Sequence, residues 1–141
     1  MVGVRETRRV MGEYVVTAED MASGKQFPDA VVHNAYFCID IHNPSGAGQA
    51  ETNAKPHEVE QYDLPYRAFV PLKIDGLLTC GRCISGTHRA HASYRIMNTA
   101  MAMGQAIGLA ASLCARENVI PRELSVEKLR EAIRAAGVVL D

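Results

Sequence analysis

The sequence has no tryptophan, few other aromatic residues and almost no net charge. Its 141 residues include five Tyr and three Phe, and the formal net charge at pH 7 is -1. The basic residues are scattered along the chain rather than grouped in a stripe, so the sequence offers no electrostatic surface for nucleic acid. We therefore expect no nucleic-acid partner.

Long apolar runs are also missing. No run approaches the roughly 20 residues that span a bilayer, and the N-terminal sequence MVGVRETRRV lacks the apolar core of a signal peptide. We therefore expect no membrane partner and a cytoplasmic location. The chain is long enough for one compact domain but short for two, so residues 1–141 are predicted to form a single domain.

The GxGxxG motif of dinucleotide-binding proteins is absent as well. Such a site needs a strand, a glycine turn and a helix, because the glycines let the backbone approach the pyrophosphate. The densest glycine cluster, at Gly46 and Gly48, follows no apolar strand and falls in a predicted loop over residues 43–57. The sequence therefore lacks the nucleotide-binding half of a dinucleotide site.

The chain contains four cysteines, for which we expect the reduced state because there is no secretion signal. Cys38 and Cys114 are predicted to be core residues. Cys80 and Cys83 have the CxxC spacing of thiol-disulfide enzymes and of half a zinc site. Since Cys80 ends an apolar run instead of beginning a helix, a structural role is favoured and no metal site is predicted. A redox role and a zinc site stay open as alternatives.

Strand patterns dominate residues 6–80 and helix patterns dominate residues 97–137. Strands are predicted at residues 6–16, within 31–42, and at 59–64, 66–70 and 77–80. A short helix capped by Thr17 is predicted at residues 18–23. Between residue 80 and the long helix we expect a polar loop.

A long helix rich in small residues is predicted at residues 98–118. Gly104 and Gly108 share one face, which would permit close approach to a sheet or another backbone. Because the helix is apolar on almost every side, we expect most of its faces to be covered. Three methionines at its start are predicted to fill the core: Met97, Met101 and Met103.

Ser125 is predicted to cap a final amphipathic helix that ends at Gly137. Its inward residues are predicted to be Val126, Leu129, Ile133 and Ala136. The predicted fold class is therefore α+β. An antiparallel or mixed sheet would occupy the N-terminal half, with the long helix and the amphipathic helix packed on it.

The segments GRCIS (81–85) and RIMNT (95–99) resemble the last part of FAD-dependent oxidoreductases of the glutathione-reductase-like superfamily. The resemblance extends through RETRRVMGEYVVTAEDM, FPDAVVHNAYFCIDIHNPSG and YDLPYRAFVP, and covers most of the chain. It implies a substrate-domain-like β region over residues 1–70 and a flavin-binding-like strand, loop and helix over 71–141. It also implies FAD as cofactor, a small-molecule substrate, and a C-terminal fragment of a larger flavoprotein.

The resemblance further implies cofactor-binding roles for five residues. Gly81 and Arg82 would lie beside the ribityl and pyrophosphate groups, because glycine allows close approach and a guanidinium pairs with phosphate. Arg95 would hold the loop against the cofactor. Met97 and Asn98 would present backbone amides of a helix N-terminus to the flavin pyrimidine.

Three histidines, His42, His88 and His91, are candidates for substrate binding. Asp40 and His42 lie on one face of a predicted strand, where a carboxylate could orient the imidazole. A solvent-facing pair is the alternative. Arg8 and Arg9 are interpreted as a solvated strand edge, with anion or substrate recognition left open.

Two other functions stay open: a non-catalytic interaction or structural domain, and a small CxxC thiol-disulfide protein. In the flavoprotein hypothesis the chain alone is expected to be inactive and to bind FAD weakly or not at all. The apolar surfaces that a nucleotide-binding domain would cover stay exposed in that case. We therefore expect a homo-oligomer, or a partner that supplies the missing domain.

Overall fold

The computed structural model describes residues 5–43, 45–46 and 59–140. The regular elements in these ranges are helix α1 Ala18–Ala22, strands β1 Ala30–Ala35 and β2 Tyr62–Pro65, and helices α2 His88–Tyr94, α3 Met97–Glu117 and α4 Val126–Ala135. Short 3₁₀ turns occur at Tyr66–Ala68, Gly81–Cys83 and Pro121–Glu123. Two antiparallel strands with four helices confirm the predicted α+β class. The loop predicted at residues 43–57 lies largely outside the described residues.

Strands β1 and β2 form the sheet on which the longer helices pack. Val32 lies opposite Leu64, and the register is irregular on both sides of this pair. Most residues of both strands are buried, since α3 and α4 cover β1. Helices α3 and α4 also contact each other. The predicted packing of both helices on the sheet is therefore confirmed.

Three of the predicted strands are wrong. Residues 6–16 contain only isolated bridges, Gly12 with Pro71 and Val16 with Gly86, and residues 77–80 are irregular. Residues 66–70 begin with a 3₁₀ turn. The backbone groups of these segments bond to loops instead of to a neighbouring strand, as when Thr79 N–H donates to Phe69 O at 2.9 Å. The apolar pattern of a segment indicates buried side chains. A strand also needs backbone hydrogen bonds to a neighbouring strand, which burial alone does not provide.

The helix capped by Thr17 is confirmed. The Thr17 hydroxyl accepts from the Asp20 amide at 3.2 Å, and the Asp20 carboxylate accepts from the Thr17 amide at 3.0 Å. This reciprocal pair is a capping box, which satisfies two amides that the first turn leaves open. Gly24 follows the helix with a φ of 58°, which a residue other than glycine adopts at a cost.

Helix α2 occupies part of the chain that was predicted to be a loop. Thr87 caps it by accepting from the Ala90 amide at 3.3 Å, and this hydroxyl cap is the sequence signal that was missed. Helices α2 and α3 meet at 91°. In the described ranges no single helix is long and apolar enough to cross a membrane, although this bent pair meets the length and composition criteria when taken together.

Helix α3 is confirmed, but the prediction that most of its faces are covered is wrong. Its covered face carries Met103, while Met97 is 81% exposed and Met101 is 75% exposed. A Cβ built on Gly104 or Gly108 would have no neighbour within 4 Å. The described chain therefore covers one side of this apolar helix and leaves the other open.

Helix α4 is confirmed as an amphipathic helix capped by Ser125, whose hydroxyl accepts from the Lys128 amide at 3.3 Å. Leu129 and Ile133 are buried in the core, whereas Ala136 is exposed, contrary to prediction. Ala136 follows the last helical turn, where the backbone has already left the apolar stripe.

Gly12 provides a test of how the N-terminal segment docks. A Cβ at this position would lie 2.8 Å from Ser85 Cβ and 3.0 Å from Arg67 O. Gly12→Ala is expected to lower the free energy of unfolding by about 1–3 kcal/mol, because the new methyl group meets backbone that cannot easily move. Gly104→Ala is the control and should raise it by up to about 1 kcal/mol through helix propensity. Urea unfolding measures both, and an unchanged midpoint for Gly12→Ala would contradict the docking.

Candidate functional site

Four of the predicted site residues line one cavity of about 170 Å³: His42, His88, His91 and Arg95. His88 and His91 come from one face of α2, because residues three apart in a helix are neighbours. The other walls come from the N-terminal segment and the chain around Asp40. The remaining lining residues are Arg5, Glu6, Asp40, Ile41 and Ala92. We call this the histidine cavity.

Glu6 joins the N-terminal segment to the histidines of α2. Its carboxylate is 2.7 Å from His88 Nδ1 and 3.6 Å from His91 Nδ1. It also forms an ion pair with Arg9, whose Nε donates to Gly86 O at 2.7 Å. One carboxylate thus faces both histidines of α2. Sequence reasoning did not select Glu6, since 82 residues separate it from His88.

Asp40 forms the opposite side of the histidine cavity. The predicted pair is present, with His42 Nε2 at 2.9 Å from Asp40 Oδ2. Arg95 Nη2 donates to the Asp40 carbonyl at 2.7 Å and to its carboxylate at 3.3 Å. Arg95 therefore holds the Asp40 segment against the end of α2. Its role toward a cofactor stays a prediction.

His91 is the most deeply buried histidine of the cavity, with 2% of its surface exposed. Burial, followed by the charges of Arg9, Arg95, His88 and Arg82, lowers the pKa of His91 to about 4. Its ring packs edge-on against Tyr94. Within the described part of the chain His91 Nε2 has no hydrogen-bond partner. The cavity thus contains an imidazole that is neutral at pH 7 and has one unused ring nitrogen.

A second opening, of about 300 Å³, carries three arginines. Arg82 lines it together with Arg5 and Arg8, and guanidinium groups bind phosphate and carboxylate oxygens well. Gly81 has a φ of 75°, and a Cβ there would meet nothing within 4 Å. The Gly81–Arg82 turn therefore offers an open backbone beside a basic surface.

The first turn of α3 lines a different opening, of about 290 Å³, against β1. Met97 and Asn98 are exposed, Asn98 lines this opening, and the N-cap residue Ile96 provides no side-chain hydrogen bond. The first amides of a helix have no partner within the helix, so these groups are available. Three of the predicted cofactor residues thus line three different openings: Arg82, Arg95 and Asn98.

The exposed side of α3 forms an open groove of about 710 Å³. Its floor is the small-residue face that contains Gly104, Gly108 and Ala111, and its far wall includes Leu78 and Cys80. We call it the α3 groove. Its lining is mainly small and apolar, which suits packing against another protein surface better than binding a charged ligand.

A buried histidine–aspartate pair escaped the sequence analysis. His33 Nδ1 is 2.7 Å from Asp63 Oδ1, and Asp63 is 3% exposed. The same carboxylate accepts from the backbone amides of Phe27 and Asn34 at 3.3 and 3.2 Å. These bonds hold β1 to β2, and Asn34 has a φ of 52° where its amide turns toward Asp63. No local pattern indicates a pair 30 residues apart.

The cysteines differ from prediction in one case. Cys114 is buried as expected, but Cys38 is exposed, because β1 ends at Ala35 before reaching it. Burial, with a smaller effect from Cys83, raises the pKa of Cys80, which is the reverse of what a reactive CxxC thiol needs. Among the residues the structure describes, no three His, Cys, Asp or Glu side chains lie close enough to hold a metal ion.

Comparison with known proteins gives one match. The family model described as "FAD dependent oxidoreductase" matches residues 1–133. No curated protein and no solved structure matches the chain. The match confirms the resemblance at the level of this family and its cofactor, FAD. The glutathione-reductase-like superfamily stays a prediction.

The lowered pKa of His91 predicts a specific pH dependence of stability. An unfolded histidine titrates near 6.5 and folded His91 near 4, so the unfolded chain binds more protons between these values. Stability is expected to be complete above pH 6.5 and to fall as the pH drops to 4, by on the order of 3 kcal/mol. Urea unfolding of the chain and of His91→Gln from pH 7 to pH 4.5 measures this term. A variant with the same pH slope would show that His91 does not carry it.

The thiols are predicted to react in a definite order. Exposed Cys38 should be alkylated by iodoacetamide at pH 8 before Cys80, because the thiolate is the reactive form and burial raises the pKa of Cys80. Peptide mass spectrometry over time measures the order, and Cys38→Ser identifies the fast site. Faster labelling of Cys80 than of Cys38 would support the thiol-disulfide alternative.

Proposed function

The chain belongs to the FAD dependent oxidoreductase family, and from this premise we propose that it forms the flavin-facing wall and the substrate cavity of such an enzyme. FAD, when bound, accepts electrons or a hydride from a small substrate. The family match over residues 1–133 carries the proposal. Because these 141 residues contain no GxGxxG turn, the contacts to pyrophosphate and adenosine must come from other residues. The chain alone is then inactive.

The residues at the Gly81–Arg82 turn and its basic surface suit one wall of a flavin site. Gly81 leaves its backbone open, and Arg82 and Arg8 provide positive charge for phosphate or ribityl oxygens. The free amides at Met97 and Asn98 suit a carbonyl of the flavin pyrimidine. Because these groups line separate openings, we propose that they meet one cofactor only when the missing residues complete the site.

The substrate side is proposed to be the histidine cavity. It gathers His42, His88 and His91 on elements that are fastened to each other through Glu6 and Arg95. A cavity of about 170 Å³ suits a small molecule rather than a polymer. The histidines lie on a helix and beside an anchored segment, so their positions are held by the fold.

The α3 groove is proposed to be the surface that the nucleotide-binding part covers. Its floor has no Cβ at Gly104 or Gly108, which permits a close backbone approach. When that part is absent, we propose that two copies of the chain pair through the same face. A non-catalytic interaction domain is the second candidate function, and the missing GxGxxG turn favours it.

Flavin binding separates these two functions. The purified 141-residue chain is expected to be colourless and to bind added FAD weakly or not at all, as followed by the visible absorption of oxidised flavin and by calorimetry. A full-length relative that carries the same GRCIS and RIMNT segments should be yellow and should lose its flavin on Gly→Val at the position of Gly81. Stoichiometric FAD in the isolated chain would contradict the proposed division of the site. A colourless relative would favour the interaction domain.

Self-association through the α3 groove can be tested separately. Light scattering at micromolar concentration is expected to find a dimer. Gly104→Glu should give a monomer, because a charge then lies in the apolar contact, and the open space at this position lets the fold accept the side chain. Gln105→Glu is the matched control and should stay dimeric, since Gln105 faces a different depression near β1. A monomeric unmodified chain would exclude pairing through this face.

A further inference from the structure

We propose that the histidine cavity binds a small 2-hydroxy carboxylate, with the ligand hydroxyl donating to His91 Nε2 and the carboxylate paired with Arg5. The inference rests on the proposed function for the statement that this ligand is the substrate. Binding itself requires only the described residues.

The unused nitrogen of His91 is the starting point. Buried polar atoms in native proteins almost always have a partner, so an exception within a cavity indicates a missing ligand or water. His91 is 2% exposed and its Nε2 has no partner among the described residues. The same side chain lines the histidine cavity, so a ligand there lies against this ring.

The tautomer determines what the ligand must offer. His91 Nδ1 is 3.6 Å from Glu6 Oε2, too far for a strong bond but close enough for the carboxylate to favour hydrogen on that nitrogen. Nε2 then has a lone pair and accepts a hydrogen bond. The ligand group at His91 is therefore a donor, which means a hydroxyl or an amine.

The charges around the cavity favour a hydroxyl and an anionic group. Arg9, Arg95, His88 and Arg82 all act on His91 as positive charges, so an ammonium group would be repelled where a neutral hydroxyl is not. Two carboxylates also face the cavity, but each already has cationic or imidazole partners: Glu6 has Arg9 and His88, and Asp40 has Arg95 and His42.

Arg5 is the group left for the ligand carboxylate. It lines the cavity, is exposed, and has no hydrogen bond or ion pair with any residue in the described ranges. A guanidinium can hold a carboxylate through two parallel hydrogen bonds. A cavity of about 170 Å³ limits the molecule to a few heavy atoms beyond these two groups. A short 2-hydroxy acid meets all three conditions.

The test follows the imidazole signals of the unmodified chain by NMR while glycolate, acetate or glycine is added. Glycolate is expected to shift the His91 resonances saturably and to bind about tenfold more tightly than acetate, which lacks the hydroxyl. Glycine, whose ammonium replaces the hydroxyl, should produce no saturable shift. Equal affinities for glycolate and acetate, or no shift with glycolate, would overturn the proposal.

Two variants assign the roles. Arg5→Gln changes an exposed side chain and should weaken glycolate and acetate by a similar factor of about ten. His91→Gln should abolish the preference for glycolate over acetate. If Arg5→Gln does not change the affinity for glycolate and acetate, the assignment of Arg5 to the ligand carboxylate is wrong. This result does not depend on whether His91→Gln folds.

The two proposals fail separately. No flavin is needed for glycolate binding, so FAD binding by the isolated chain would contradict the division of the flavin site and leave the hydroxy-acid result unaffected. If a full-length relative contains flavin but glycolate causes no NMR shift in the isolated chain, the proposed enzyme function stands. The 2-hydroxy carboxylate is then wrong as its substrate class.

Discussion

The right-angled junction between α2 and α3 determines where both surfaces of the molecule lie. Arg95 stands at this junction and donates to the carbonyl and carboxylate of Asp40. Because the chain turns by 91° here, α2 presents its histidines to the cavity while α3 runs along β1. The Asp40 amide also donates to Ala92 O at 3.4 Å, and Ser93 Oγ donates to Phe37 O at 2.6 Å. The charge-assisted Arg95 bonds add to these contacts in holding the Asp40 wall of the cavity against α2.

Glu6 closes the cavity from the other side, and the backbone supports it. Val10 N–H donates to Cys83 O at 2.9 Å and Val16 N–H to Ser85 O at 3.1 Å. These bonds hold the N-terminal segment along the chain that leads into α2. A carboxylate far from α2 in sequence thus reaches both of its histidines. Burial disfavours the charged form of His91, and the nearby cations add to this effect, so its pKa is lowered to about 4 although Glu6 faces the ring.

Features set by local sequence were predictable, and features that depend on distant partners were not. The capping box at Thr17, the extent of α3 and the Ser125 cap follow from residues within one turn of each other. The histidines were selected by residue type and resemblance, and the structure gathers them. The strand predicted at residues 6–16 is absent because the partners of its backbone groups lie in turns and loops 53 to 73 residues away, as for Tyr14–Arg67 and Val10–Cys83. His33–Asp63 and Glu6–His88 left no local signal for the same reason.

The exposed face of α3 explains why its burial was overestimated. A helix that is apolar on almost every side predicts neighbours all round, and that inference is sound for a complete structure. In the described ranges α3 is contacted by β1, α4 and the 3₁₀ turns at Gly81–Cys83 and Pro121–Glu123, while Met97 and Met101 stay exposed. This exposed apolar surface is the reason we propose that another protein surface covers it. Under the proposed function, the α3 groove and the basic surface at Arg82 would both face a nucleotide-binding part that carries FAD. The groove suits protein backbone and the basic surface suits negative charge, so one partner of this kind would match both surfaces.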